Sequence, residues 1–366
     1  AACGQRAARP IGDFTLPVYT PRYASGFEIT GAAGSRSTLV TVHNPWYGDE
    51  VTDQYLFIAR DGEPAPAGFE GQVLRDEARR VVCMSGSYIA MLDALGAADR
   101  VVGVSGAQYL INETLRRRIA RGEAADVGFD SNVDFERLMA LRPDLVMLFG
   151  IGGADTALTG KLRELGIPYL YMGEHCEESP LGKSEWVVVA AEIAGLRTEG
   201  SRLFAAIPER YERLRALAQQ TAARPRVMLN TPYRDTWFMP ARNSYMVRLL
   251  EDAGARYVFE ENTATQTLPI DIEQAYYLTS KSDFWLNVSG CNTLDEVRRQ
   301  NPRLADTPPV REGRVYDNNR RRNAAGGSDF WESGVLRPDR VLADLVHIFH
   351  PELSETDELY YYRQLE

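Results

Sequence analysis

Residues 134–150 read DFERLMALRPDLVMLFG. Asp134 is of a type favoured at helix N-caps, and Glu136 falls in the first turn, where the helix dipole favours a carboxylate. Apolar residues at helical spacing run to Leu141, and the chain then passes through Asp144 into an apolar strand. Residues 271–290, DIEQAYYLTSKSDFWLNVSG, repeat the phrase: Asp271, Glu273, Leu278 seven positions after the Asp, then Asp283 and a second apolar strand. Another pair occurs in the same order. LDALGAADRVVGV at residues 92–104 is echoed by LEDAGARYVFEE at residues 250–261. Two echoes in one order indicate an α/β unit used twice. The shared Gly96 and Gly254 suit the left-handed position just past a helix.

The chain outside these echoes follows the same grammar. From Val81, short apolar runs alternate with helical patterns: RVVCMSG, YIAMLDALGA, RVVGVSG, ETLRRRIARGE, then LTGKLRELG and IPYLYMG. Such continuous apolar strands between helices predict parallel sheets covered on both faces. Residues 184–223 carry a helical pattern with no strand. The part from about 199 to 222 would be about 35 Å long at 1.5 Å per residue, with a kink at Pro208. The alternation restarts at RVMLN and ends with RPDRVLADLVHIFH. Residues 13 to about 62 differ, with β-branched and aromatic runs broken by Gly, Asn, Asp and Pro. The expected fold is therefore α/β, with two Rossmann-like lobes, each around a parallel sheet, joined by one long helix and preceded by a β-rich extension. The expected boundaries are a tether at 1–12, the extension at 13–72, lobe 1 at 73–177, a helical linker at 178–223, lobe 2 at 224–350 and a tail at 351–366.

The chain has 366 residues, of which 44% are hydrophobic and 25% charged, the balance of a water-soluble globular protein. No apolar run approaches the roughly 18 residues of a membrane span. A net charge of -10 argues against nucleic acid as a partner. The opening Ala-Ala-Cys matches the end of a bacterial lipoprotein signal, which would make Cys3 the lipidated residue and the membrane a partner only through that anchor. Cys83, Cys176 and Cys291 are odd in number and show no CxxC spacing, so at most one disulfide among them and no zinc site are expected.

Taken in order, these phrases resemble the substrate-binding proteins of ABC importers for ferric siderophores, haem and cobalamin, the class III periplasmic binding proteins. The matching stretches are RVVCMSGSYIAMLDALGAADRVVGVSG, NVDFERLMALRPDLVMLFG, LRELGIPYLYM and SPLGKSEWVVVAAEIAG in the first half. MVRLLEDAGARYVF, DIEQAYYLTSKSDFWLNV and GRVYDNNR follow in the second, so the likeness runs over about residues 73–350. The resemblance implies a monomeric, envelope-located binding protein, not an enzyme. It would hold a metal chelate between two lobes and deliver it to a permease dimer with its ATPase. A ferric siderophore is the first expectation, with haem or cobalamin as alternatives, and no intrinsic cofactor is implied. In that family one exposed glutamate per lobe pairs with permease arginines, and Glu136 and Glu273 stand at the matching positions.

Ligands of parallel α/β sheets sit beyond the carboxyl ends of the strands. In lobe 1 this singles out Ser85, Ser87, Gln108, Tyr109, residues 150–153 and His175. In lobe 2 it singles out Tyr233, Trp237, Phe238, Arg242 and Tyr245, then Asn318, Arg320, Arg321, Arg322, Phe330 and Trp331. Arginines suit an anionic chelate and aromatics its flat faces; His175 is also a candidate axial ligand to haem iron. Direct iron binding would need several converging donors, and no spacing demands them, so a pre-chelated metal is expected. Two other readings stay open. One is a tetrapyrrole chelatase using His175 with Glu174 or Glu177. The other is an envelope scavenger or sensor without a transporter.

Overall fold

The computed structural model describes residues 7–47, 51–234 and 236–366; Cys3 lies outside them. The chain divides into two compact units. Lobe 1 takes the chain up to Glu177 with Leu181–Ala206 and Trp331–Leu336, and lobe 2 takes Glu178–Pro180, Ile207–Phe330 and Arg337–Glu366.

Lobe 1 begins with a five-stranded sheet in sequence order: β1 (Leu16–Tyr19), β2 (Phe27–Gly31), β3 (Thr38–His43), β4 (Asp53–Ala59) and β5 (Gln72–Arg75). The first four strands pair antiparallel, and β5 joins β4 in parallel. In β2 the apolar Phe27 and Ile29 point inward while Glu28 faces solvent, the alternation a half-covered strand requires. Phe14, Leu39 and Phe57 pack on one side with Phe69 and Val73.

The second sheet is parallel: β6 (Val81–Cys83), β7 (Val101–Val104), β8 (Ala125–Asp126), β9 (Leu145–Phe149) and β10 (Tyr169–Met172), in the order β10-β9-β6-β7-β8. Helices α1 (Gly86–Ala94), α2 (Glu113–Ala120), α3 (Phe135–Leu141) and α4 (Ala157–Leu165) alternate with these strands. Val82, Val102, Val146 and Leu148 form the core with Leu138 and Leu162. The strand order reverses at β6, and the carboxyl edge beside such a reversal is where open α/β sheets bind their ligands.

Three helices follow: α5 (Pro180–Glu185), α6 (Val187–Ile193) and α7 (Arg197–Gln219). The last has 23 residues, about 35 Å, as the sequence predicts, and contains Pro208; the division between the units falls inside it, between Ala206 and Ile207.

Lobe 2 repeats the scheme with β11 (Arg226–Leu229), β12 (Trp237–Met239), α8 (Tyr245–Asp252), β13 (Arg256–Tyr257), β14 (Leu268–Ile270) and α9 (Ile272–Ser280). Then come β15 (Phe284–Leu286), α10 (Leu294–Gln300), α11 (Pro308–Arg311), β16 (Val315–Asp317), α12 (Ser333–Leu336), α13 (Pro338–Phe349) and β17 (Arg363–Gln364), with α12 belonging to lobe 1. The main sheet runs β13-β11-β15-β16-β17, with its own reversal at β11. The tail is part of this sheet, since β17 pairs antiparallel with β16. Asp344 secures it by accepting from the backbone N–H groups of Tyr360, Tyr361 and Tyr362 at 2.8, 2.6 and 2.9 Å. Gly96 and Gly254 take φ of 73° and 81°, the left-handed geometry their positions predict.

Candidate ligand-binding and docking sites

At the carboxyl edge of the lobe 1 sheet, three strand ends meet on two adjacent residues. His175 Nε2 lies 2.6 Å from the carbonyl oxygen of Gly150, which follows β9. Ser87, in the first turn of α1 after β6, donates to Glu174 Oε1 at 3.0 Å, and Ser85 Oγ is 2.9 Å from Ser87 Oγ. Tyr47, from the loop after β3, donates its hydroxyl to the His175 carbonyl at 2.8 Å, with its ring edge-on to the imidazole. Gly150 has no room for a side chain here: a Cβ would lie 2.6 Å from the Pro45 carbonyl oxygen. Around this buried knot stand exposed apolar side chains. Tyr47 is 63% exposed and Ile151 66%. Tyr109 and Phe129 pair at 6.3 Å between centroids after β7 and β8. Trp331, 60% exposed, precedes Glu332, whose carboxylate accepts from the N–H groups of Ile111 and Asn112 at 2.7 and 2.9 Å.

The corresponding edge of lobe 2 is held from beneath by two tryptophans. Trp237 and Trp285 stack at 5.6 Å, and their indole N–H groups donate to the carbonyls of Leu229 and Asn230 at 3.0 and 2.7 Å. Asn230 and Asn287 turn the chain at the ends of β11 and β15 with φ of 69° and 62°, a conformation asparagine tolerates better than most side chains. Beyond them Tyr233 and Phe238 are exposed, and the Arg234 guanidinium sits 5.4 Å from the Tyr233 ring centre. Arg322 is exposed and makes no ion pair among the described residues.

A family model described as periplasmic binding protein matches residues 81–320. The chain belongs to this periplasmic binding protein family. An uncharacterized lipoprotein of Methanocaldococcus jannaschii is 25% identical over 332 residues, covering 84% of this chain and 77% of that protein. Among solved structures, a periplasmic haem-binding protein of Pseudomonas aeruginosa superposes with a TM-score of 0.60 at 19% identity, covering 79% of this chain and 98% of that one. An ABC-type Fe3+-hydroxamate transport protein of Saccharomonospora viridis gives 0.54 at 17% identity, covering 75% and 94%. These structures share the two-lobed α/β fold. The family and its neighbours are substrate-binding proteins of transporters.

In this periplasmic binding protein both glutamates of the repeated phrase are exposed at helix starts. Asp134 and Asp271 cap α3 and α9 as expected, accepting from the N–H of Arg137 and of Gln274 at 2.9 and 2.8 Å. Glu136 has no ion-pair partner among the described residues, whereas Glu273 pairs with Arg303 at 2.9 Å, both side chains well exposed.

Several expected ligand contacts are corrected. Trp237 is 1% exposed and belongs to the lobe 2 core, because its indole spans the Trp285 ring and the end of β11. Asn318 and Phe330 are also buried, the latter against Tyr361 and Tyr362. Ser87 is buried under Glu174. Arg242 turns to Glu251 at 2.8 Å, beside Arg224 and Arg256 at the amino ends of β11 and β13, away from the carboxyl edge. Arg320 is engaged by Glu358 at 3.3 Å, and Arg321 by Asp329 at 2.7 Å. The His175 side chain is 10% exposed, with Nε2 committed to Gly150 and Nδ1 buried beside Glu174, so neither ring nitrogen is presented to a haem iron. Tyr245 is half-buried, and burial raises its phenol far above its ordinary range. Ser85, Gln108, Tyr109, Trp331 and Arg322 remain accessible. Tyr47, Phe129, Ile151 and Arg234 join the edges without having been singled out by name in the sequence. Tyr47 and Phe129 lie outside the strand-end runs considered, though Phe129 closely follows the two-residue β8.

Proposed function

We propose that this protein captures a metal chelate with a broad apolar face, haem first and a ferric siderophore or cobalamin second, and delivers it to an ABC permease. The observation that carries this reading is the set of exposed aromatic and aliphatic side chains at the strand ends of lobe 1. Tyr47, Tyr109, Phe129, Ile151 and Trp331 suit a flat ring better than a compact anionic complex. The haem-binding structural neighbours support the order of preference. A tryptophan-fluorescence titration against haemin, a ferric hydroxamate and cobalamin should show saturable quenching first by haemin. No response to any of the three would end this reading.

Delivery is assigned to Glu136 and Glu273, one per lobe, meeting basic permease residues. Each exposed pair contributes about 1 kcal/mol or less, which suits a reversible contact, while two of them fix orientation. The Glu273–Arg303 pair is itself exposed, so exchanging partners costs little. The double substitution Glu136→Ala, Glu273→Ala should leave ligand affinity unchanged and lower uptake by up to about 30-fold, the equivalent of ~2 kcal/mol. Unchanged uptake would remove the docking assignment. A lipid on Cys3 would keep the protein near its permease, and the lipoprotein relatives support it. An intact mass without acyl groups on Cys3 would argue against the anchor.

A further inference from the structure

We propose that Glu174 and His175 form a buried positioning centre for the ligand-facing edge of lobe 1, with His175 acting as an imidazolium that donates from Nε2 to Gly150 and turns a protonated Nδ1 toward the Glu174 carboxylate. This rests on the reading that a chelate binds at that edge. The Gly150 carbonyl can only accept, so the close contact at 2.6 Å puts a proton on Nε2. Nδ1 then faces Glu174 Oε2 at 4.0 Å, and both atoms are buried without a hydrogen-bond partner among the described residues. A neutral ring would set a lone pair against a carboxylate oxygen in a site closed to water. A second proton replaces that repulsion with attraction.

The other groups facing the ring agree with this assignment. Tyr47 and Lys183 bond its carbonyl, and Cys176 and Glu174 flank it in sequence. Lys183 Nζ also donates to the Glu174 carbonyl at 3.2 Å, and burial lowers its pKa. Burial alone would lower the His175 pKa too, but its interactions with Cys176 and Glu174 carry it up to about 9. The Tyr47 phenol is pushed up to about 12, by burial first and then by Cys176 and Glu174.

The pair therefore ties together the ends of β6, β9 and β10 and the Tyr47 loop, through Ser87, Gly150 and the His175 carbonyl. Ile151 and Tyr47, the most exposed apolar side chains of the edge, each adjoin one of these ties. A loop fixed before the ligand arrives loses less freedom on binding, so the centre raises affinity without touching the ligand. Because the folded pKa is raised, the clasp is complete below about pH 6.5, the unperturbed value, and is lost as pH rises through about 9.

The test uses the full chain with haemin as probe, comparing wild type with His175→Gln from pH 6 to 10. Wild type should bind with constant affinity to about pH 7.5 and weaken about tenfold by pH 10. His175→Gln should bind about tenfold more weakly at pH 7 and lack the alkaline step. A variant matching wild type in affinity and pH profile overturns the proposal. If haemin binds neither protein, the haem reading fails, and the clasp is judged on ligand-free protein. Hydrogen exchange across residues 148–160 should be about tenfold faster in His175→Gln at pH 7, and equal rates would overturn it.

Discussion

Replacing Glu192 with alanine is expected to destabilise lobe 1 by about 3–5 kcal/mol, the usual cost of removing one partner from a buried charge pair. The carboxylate is fully buried in α6, and three side chains donate to it. Thr38 Oγ1 and Arg60 Nη1 reach Oε1 at 2.7 and 2.9 Å, and Arg197 reaches Oε2 and Oε1 at 2.7 and 2.8 Å. Arg60 also donates to the Glu192 carbonyl at 3.1 Å. Thr38 lies in β3, Arg60 follows β4 and Arg197 opens α7, so one side chain joins the N-terminal sheet to two helices. Alanine would leave Arg60, itself nearly buried, with an uncompensated charge. The melting temperature should fall by roughly 10 °C. Burial works to raise the Glu192 pKa, but Arg197 and Arg60 outweigh it and hold the carboxyl below its ordinary range. The stabilisation is therefore present above about pH 4.5, near the unfolded value, and disappears as pH falls through the folded value. Calorimetry of wild type and Glu192→Ala at pH 7 and pH 3.5 should show the gap closing in acid. A loss under 1 kcal/mol at neutral pH would show that the network is not what holds the sheet.

Glu192 also marks the boundary of what the sequence makes legible. Repetition and periodicity are local signals, and they place the parallel strands, the long helix, and the Asp-capped starts of α3 and α9 with Glu136 and Glu273 on their first turns. Long-range acceptor roles have no local signal. Glu185 receives the N–H groups of Arg22, Tyr23 and Ala24 at 2.8, 2.8 and 2.7 Å, and Glu177 receives those of Ser25 and Gly26 at 3.1 and 2.8 Å. With Glu192 they attach the β-rich extension to lobe 1, and that attachment carries Tyr47 to the carboxyl edge of the parallel sheet. Part of the acidity that the net charge of -10 reflects thus holds the fold together internally. The same limit applies to the candidate ligand residues. Position after a strand points to the carboxyl edge of a sheet, but whether a side chain there faces outward depends on partners far along the chain. Trp237 turns in to Trp285, and Arg242 swings to Glu251, while Tyr109 and Trp331 stay exposed.

Substituting Asp317 with asparagine should stabilise lobe 2 at pH 7–8, the reverse of the usual effect of losing a buried carboxylate. Asp317 ends β16, is 2% exposed, and its Oδ1 is buried with no hydrogen-bond partner among the described residues. Burial raises its pKa to about 6, although the Asn318 backbone and the charges of Arg363 and Arg322 pull the other way. Above that pH the protein holds a poorly solvated anion that the unfolded chain would leave in water. A folded pKa raised above the unfolded value gives stability that is complete below about pH 4 and declines as pH rises through 6. Each tenfold difference in ionisation is worth about 1.4 kcal/mol, so the decline amounts to about 2–3 kcal/mol. A side-chain amide cannot ionise, so Asp317→Asn should match wild type near pH 4 and exceed it by that amount at pH 8. Denaturant titrations at the two pH values measure it directly. The competing outcome has a clear physical meaning: if Asp317→Asn is less stable than wild type at pH 8, the ionised carboxylate is paired with Arg363 across the β16–β17 register strongly enough to offset its burial.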